Sequence, residues 1–202
     1  MEVNGLAIRE IDFNLHEVTK SICKIIYQNT FSTGFFIKLF KDEKEMLCLM
    51  TNGHIITKEM IELKAIIEVR YNHEKKLIKI NLDEKERFIK YNKEMDITII
   101  EIKPENKIKD KFFLLPETND LDLWNKDIYI LQFPGDEGLS FSGGKIKEIK
   151  EQEISYDACT GSGSSGSPIF LRNTSKVIGI HQKEHISKKL NIGTVIKPFI
   201  YL

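Results

Sequence analysis

The chain has 202 residues, 41% of them apolar and 30% charged, and thirty basic side chains balance thirty acidic ones. That length suits one domain or two small barrels sharing an interface, and that apolar content supports a buried core. A neutral total gives no global field for gathering phosphate or anionic lipid, which argues against a nucleic-acid or membrane partner, and no stretch approaches the roughly 18 apolar residues of a membrane-spanning helix.

The chain opens Met1-Glu2-Val3-Asn4-Gly5, followed by Glu10 and Asp12, with no long apolar run, so this stretch does not read as a signal peptide. Short strands then follow one another. Phe35-Phe36-Ile37-Lys38-Leu39 and Met46-Leu47-Cys48-Leu49-Met50 are apolar runs, and Thr51 to Lys64 carries enough helix formers to predict a short helix. Ile66 to Tyr71 and Leu77 to Ile80 read as strands, and Ile97 to Ile102 is β-branched almost throughout. Lys103 to Lys111 reads as a solvated loop. Ile128 to Phe133 stops at the turn signal Pro134-Gly135, Pro168 to Leu171 and Val177 to Ile180 flank the hairpin-like Arg172-Asn173-Thr174-Ser175, and Val195 to Leu202 reads as a strand followed by a terminal turn or helix. Regularly spaced strands with polar turns predict an all-β sandwich or barrel with few short helices.

Gly161-Ser162-Gly163-Ser164-Ser165-Gly166-Ser167 has the composition of a flexible linker. It runs directly into an apolar strand at Pro168, however, and a linker there would strand about 40 residues without a core of their own. Small residues also suit a backbone that closely approaches a ligand. The cysteines, Cys23, Cys48 and Cys159, are odd in number and widely spaced, which provides neither zinc-ligand spacing nor a disulfide framework. This usage favours a reducing compartment and hence a cytoplasmic protein. No P-loop, Rossmann glycine pattern or HExxH occurs, so neither a metal nor another cofactor is implied.

Three patterns stand in order along the chain: Thr51-Asn52-Gly53-His54-Ile55-Ile56 after an apolar strand, Met95-Asp96-Ile97-Thr98 opening a buried one, and Gly163-Ser164-Ser165-Gly166-Ser167-Pro168. Together they resemble the histidine, aspartate and serine segments of the trypsin/chymotrypsin-like peptidase family. Ser32-Thr33-Gly34-Phe35-Phe36-Ile37, Gln132-Phe133-Pro134-Gly135 and Val177-Ile178-Gly179-Ile180-His181 resemble further segments of that family. The resemblance implies two antiparallel β-barrels, residues 1–110 carrying His54 and Asp96 and residues 111–202 carrying Ser165, with the boundary near Pro104 to Leu121. It implies a serine endopeptidase acting on protein or peptide substrates. Ser165 would be the nucleophile, His54 its base and Asp96 the group that orients the base. A serine hydroxyl is a poor nucleophile at neutral pH and needs such a base, whose tautomer an acceptor then fixes. Backbone N–H groups of Gly163, Ser164 and Ser165 form the expected oxyanion hole. The strand beyond His181 is expected to pair with an extended substrate.

His16, His73, His181 and His185 compete for the role of base, but none stands in a comparable context. The Ser-Asp-His order of α/β-hydrolases fails for lack of an acid between Ser165 and His181, and Ser167 stands where the Gly-x-Ser-x-Gly motif requires glycine. Ser164 replaces the aspartate that pairs with the new N-terminus in digestive members of the family, so that activation switch is not expected.

Thr160, five residues before Ser165, and His181, sixteen after it, occupy offsets at which glutamyl endopeptidases and picornaviral main proteases line the S1 pocket. The resemblance implies cleavage after Glu, with Gln second. Cys159, at the position that sets pocket charge in trypsin-like enzymes, offers no carboxylate for Lys or Arg. The competing function is a latent or inactive module on the same fold, acting as a binding or regulatory partner in a signalling or defence assembly. A regulatory protein partner is expected in that case.

Overall fold

The computed structural model describes residues 15–71, 77–135, 138–185 and 187–202. The candidate base His73 and the N-terminal residues read against a signal peptide lie outside them. The chain forms two seven-stranded sheets in sequence. The first comprises β1 (Ile22–Tyr27), β2 (Thr30–Lys41), β3 (Lys44–Thr51), β4 (Ile66–Tyr71), β5 (Ile78–Asn81), β6 (Ile89–Asn92) and β7 (Ile97–Glu101), in the order β5-β4-β1-β2-β3-β7-β6. Its pairings are antiparallel, and it curls into a half-barrel. The second comprises β8 (Leu115–Pro116), β9 (Asp127–Gln132), β10 (Ser140–Lys150), β11 (Glu153–Tyr156), β12 (Pro168–Leu171), β13 (Lys176–His185) and β14 (Leu190–Val195), in the order β12-β9-β10-β11-β14-β13-β8. Because β12 pairs with β13 as well as β9, six of these strands close into a barrel, and β8 is appended to β13. The fold is all-β, as the strand pattern predicts.

Two-residue turns set the hairpin registers. Gln28-Asn29 between β1 and β2 (φ 45° and 64°) and Asp42-Glu43 between β2 and β3 (φ 50° and 63°) both have the consecutive positive φ angles of a type I′ turn. That turn matches the twist of the strands it joins, even where no glycine is available to lower its cost. The predicted helix is shorter than its composition suggests. It spans Lys58–Glu62, and the Thr57 hydroxyl caps it by accepting from Met60 N–H. The residues before Thr57 are taken up by the end of β3 and by the turn that carries His54.

One core serves both halves. Ile22, Phe35, Ile37, Leu39, Met50 and Ile99 from the first sheet pack in one cluster with Leu131, Phe133, Phe170, Val177, Ile180 and Phe199 from the second half. Each half also has its own smaller core, around Phe36 and Ile67 in the first and Ile154 and Tyr156 in the second. The joint is reinforced through backbone hydrogen bonds, Lys38 N–H to Leu114 O at 2.9 Å and Phe40 N–H to Ile200 O at 2.8 Å. Cys23, Cys48 and Cys159 are all unpaired thiols, and no helix among the described residues is long and apolar enough to cross a membrane.

Candidate active site

The antiparallel register of β3 and β7 sets Thr51 opposite Thr98, so the residues just past Thr51 and just before Thr98 emerge at the same end of the sheet. His54 and Asp96 stand there. The Asp96 carboxylate accepts from the His54 backbone N–H at 2.8 Å and lies 2.7 Å from His54 Nδ1. Gripping both groups fixes the ring's direction and leaves Nε2 on the far side. Asp96 achieves this with a left-handed backbone, φ 53°, and its carbonyl accepts from Asn52 Nδ2 at 3.1 Å. The preceding carbonyl, of Met95, accepts from Gln182 Nε2 at 3.1 Å and from Thr194 Oγ1 at 3.2 Å. The turn carrying Asp96 is thus held from both halves of the molecule.

The Gly/Ser run is a pinned loop. Ser164 is fully buried; its N–H donates to Gly161 O at 3.0 Å, and its Oγ accepts from Gly161 N–H at 3.0 Å. From the first half, Thr33 N–H and Ser32 Oγ both donate to Ser165 O, at 3.0 and 2.6 Å, while Thr33 Oγ1 donates to Gly163 O at 2.8 Å. Gly166 is required there. At φ 87° it lies so close to β2 that a Cβ would come within 2.0 Å of Thr33 O. Of the three expected oxyanion donors, Ser164 points its N–H inward at Gly161 O. Among the described backbone pairs, the N–H groups of Gly163 and Ser165 are engaged with no other group.

Ser165 Oγ donates to the carbonyl oxygen of Gln182 at 2.8 Å, and among the described residues it makes no hydrogen bond to His54. Gln182 is the extra residue of a bulge, since β13 shifts register against β14 between His181 and Lys183. His185 lies near the end of β13, with its Nδ1 3.1 Å from Ser187 Oγ, and His16 sits on a helical turn at residues 15–19, outside both sheets.

His181 is 3% exposed, and its backbone brackets the Ser165 loop: Gly166 N–H donates to His181 O at 3.0 Å and His181 N–H to Ser167 O at 2.8 Å. Its Nδ1 lies 2.6 Å from the hydroxyl of Tyr156, itself fully buried. Burial, assisted by the proximity of His54, pushes the His181 imidazole down to about 4, and burial holds the Tyr156 phenol well above its usual range. Both are therefore neutral at pH 7. Thr160 Oγ1 donates to Asn191 Oδ1 at 2.7 Å, and Asn191 Nδ2 donates to Ala158 O at 2.5 Å. Cys159 is exposed, and its carbonyl accepts from Gln132 Nε2 at 2.9 Å.

The sequence matches the family model described as trypsin-like peptidase domain over residues 32–180. The chain belongs to the trypsin-like peptidase family. Among curated proteins, this trypsin-like domain is 34% identical over 103 residues to a glutamyl endopeptidase of Staphylococcus aureus (strain MW2), a match covering 48% of the chain and 31% of that relative. Among solved structures it resembles Deg5 (TM-score 0.70, 16% identity, 98% of this chain and 93% of that one). It also resembles the serine endoprotease from Yersinia pestis (TM-score 0.70, 13% identity, 96% and 64%) and the active form of Rv3671c protease from M. tuberculosis (TM-score 0.68, 16%, 92% and 82%). At these identities the structural likeness establishes the shared fold.

The sequence motifs of the trypsin-like domain put His54, Asp96 and Ser165 forward as candidates but not the groups that hold them. Asn52 lies inside the histidine motif, yet its amide reaches Asp96 only because β3 and β7 are neighbours. Gln182, Tyr156 and Asn191 carry no local pattern at all. A signal was available only in pairs, because a buried tyrosine or asparagine must find a partner.

Proposed function

We propose that this chain is a serine endopeptidase in which Ser165 attacks the scissile carbonyl, His54 takes its proton and Asp96 orients His54. The observation that carries this reading is the double grip of Asp96 on His54, at 2.7 and 2.8 Å, beside a loop that leaves the N–H groups of Gly163 and Ser165 for a developing oxyanion. Rotation about the Ser165 side chain carries its hydroxyl from the Gln182 carbonyl toward His54 Nε2. The acyl-enzyme forms as the Ser165 Oγ–C bond is made and the peptide C–N bond breaks, and the proton passes through His54 to the leaving amine. Water activated by the same imidazole then releases the acid. Beyond Ile180, the edge of β13 facing away from β14 pairs with no other strand among the described residues, so an extended substrate can add there. The Gln182 carbonyl, released by Ser165, becomes an acceptor for the substrate's backbone. Thr160 and His181 suit a substrate side chain ending in a carboxylate or carboxamide, Glu or Gln, before the cleaved bond.

A second reading, a latent module that binds a protein partner without cleaving it, is favoured by one observation: the Ser165 hydroxyl rests on the Gln182 carbonyl and not on His54. Labelling with a fluorophosphonate probe separates the two. The endopeptidase reading expects wild type to label and both Ser165→Ala and His54→Ala to lose labelling. A folded wild type that stays unlabelled supports the latent module.

A further inference from the structure

We propose that Thr33 and Ser167 are positioning residues, whose buried hydroxyls aim the oxyanion donors of the serine loop. This deepens the endopeptidase reading above and rests on it. Both side chains are fully buried, and both act through the loop backbone.

A trans peptide unit is planar, so its C=O and its N–H point opposite ways. Holding a carbonyl therefore sets the direction of the next residue's N–H. The Gly163 N–H shares its peptide unit with Ser162 O, which accepts from Gly135 N–H at 2.6 Å. The Ser165 N–H shares its unit with Ser164 O, which accepts twice from Ser167, from Oγ at 2.6 Å and from N–H at 3.1 Å. The unit between them, Gly163–Ser164, faces the other way. Its N–H donates to Gly161 O at 3.0 Å, and its carbonyl accepts from Thr33 Oγ1 at 2.8 Å. Three successive units thus alternate in direction, and the two outer ones leave their N–H groups for an oxyanion.

Gly163 is the weak joint of this arrangement. At φ 89° it has a freedom that a side chain would remove, yet a Cβ there would meet Phe133 O at 2.7 Å and the Phe31 ring at 2.8 Å. Stiffening must come from outside, and Thr33 supplies it. Its Oγ1 accepts from Phe133 N–H at 3.1 Å, a group that can only donate, so its single proton goes to Gly163 O. One hydroxyl thus ties Gly163 to the segment, Phe133 to Gly135, that also holds Ser162 O. Without that hydroxyl the Gly163–Ser164 unit can rotate at the glycine, and the two donors lose their common aim.

The test is the second-order rate of fluorophosphonate labelling against pH, per folded full-length chain, with Ser165→Ala as the blank. The phosphonyl oxygen gathers negative charge where the peptide oxyanion would. For Thr33→Val we expect the high-pH plateau to fall about 10- to 10²-fold, less than deleting a donor outright would cost. The midpoint of the pH profile, which reports the base, should stay where wild type has it. Thr33→Ser keeps the hydroxyl and should label within about threefold of wild type. Ser167→Ala should lose about five- to tenfold, since Ser167 N–H still holds Ser164 O. A role in packing alone would move the urea midpoint and leave the rate per folded chain unchanged. A folded Thr33→Val that labels at the wild-type rate, or a Thr33→Ser that labels as slowly as Thr33→Val, overturns the hydroxyl clamp and leaves the endopeptidase standing. A shifted pH midpoint in Thr33→Val puts the damage at His54 and overturns it equally. If Thr33→Val does not fold, Ser167→Ala decides, and labelling at the wild-type rate overturns the proposal. Absence of labelling in the folded wild type overturns the endopeptidase reading and the inference with it.

Discussion

Asp96 holds an unfavourable backbone conformation. A non-glycine residue at φ 53° costs about 1 kcal/mol, offset here by the Asn52 hydrogen bond and by the two bonds to His54. Asp96→Asn should lower kcat by about 10³–10⁴-fold while the urea midpoint changes little, because the amide keeps the shape but favours the wrong imidazole tautomer. Asn52→Ala should lower kcat about tenfold, from a loosened carboxylate, with KM unchanged. Its folding stability should hold, because the substitution also removes Asn52 Oδ1, a buried acceptor without a partner among the described residues. His181 gives a further expectation. Its folded value of about 4 lies below the ordinary histidine value near 6.5, so the unfolded chain binds a proton that the folded one refuses. Stability is therefore full above pH 6.5 and falls as pH drops toward 4, by about 3 kcal/mol at most. Urea unfolding at pH 7 and pH 4.5 should show a smaller difference for His181→Gln than for wild type. His54, Asp96 and Ser165, the proposed triad, could be put forward from sequence because residue type, order and flanking strands carry the motifs that resemble the family's. Gln182 could not, since both its carbonyl and its amide act through a bulge that exists only in the assembled barrel.

The strands read from the sequence include some buried on both faces for much of their length and some that alternate. β7 and the second half of β3 are buried on both faces and correspond to the runs Ile97–Ile102 and Met46–Met50, whereas Ile67 and Val69 of β4 are buried between exposed Ile66 and Arg70. β10 escapes such a reading: its eleven residues, Ser-Phe-Ser-Gly-Gly-Lys-Ile-Lys-Glu-Ile-Lys, are mostly exposed or half-buried, and two glycines interrupt it. Its partners β9 and β11 specify it instead. The loop at Gly161 to Ser167 is legible in the other direction, since its composition suggests slack while its neighbours make it rigid. Gly166→Ala tests that rigidity. A methyl group there meets Thr33 O at 2.0 Å and Thr51 Oγ1 at 2.4 Å, so the loop must lift from β2. We expect a loss of about 2 kcal/mol or more in urea unfolding, together with loss of fluorophosphonate labelling.

The two sheets cannot be treated as separable parts. Phe35, fully buried, sits in a cluster that draws on both halves, so neither half completes its core alone. Phe35→Ala should cost about 3–5 kcal/mol, and hydrogen exchange should show amides of β1–β7 and of β9–β14 losing protection together. Protection lost from the first sheet alone would show that the halves unfold independently. The sequence resemblance correctly anticipated an all-β protein with strands in both halves. It did not reveal that the largest cluster lies between them, because contact across that joint depends on how the sheets face each other.

The edge of β13 beyond Ile180, unpaired among the described residues, has a colloidal consequence. A row of backbone donors and acceptors open to a peptide is equally open to the same strand in a neighbouring molecule. The bulge at Gln182 breaks that row's regularity, and the exposed charges of Lys183 and Glu184 follow it directly. Replacing both with threonine should leave monomers intact in dilute solution but promote edge-to-edge assembly on concentration, visible as rising light scattering that added salt does not reverse. Solubility and the proposed substrate pairing thus draw on the same few residues, which limits how far either can be altered alone.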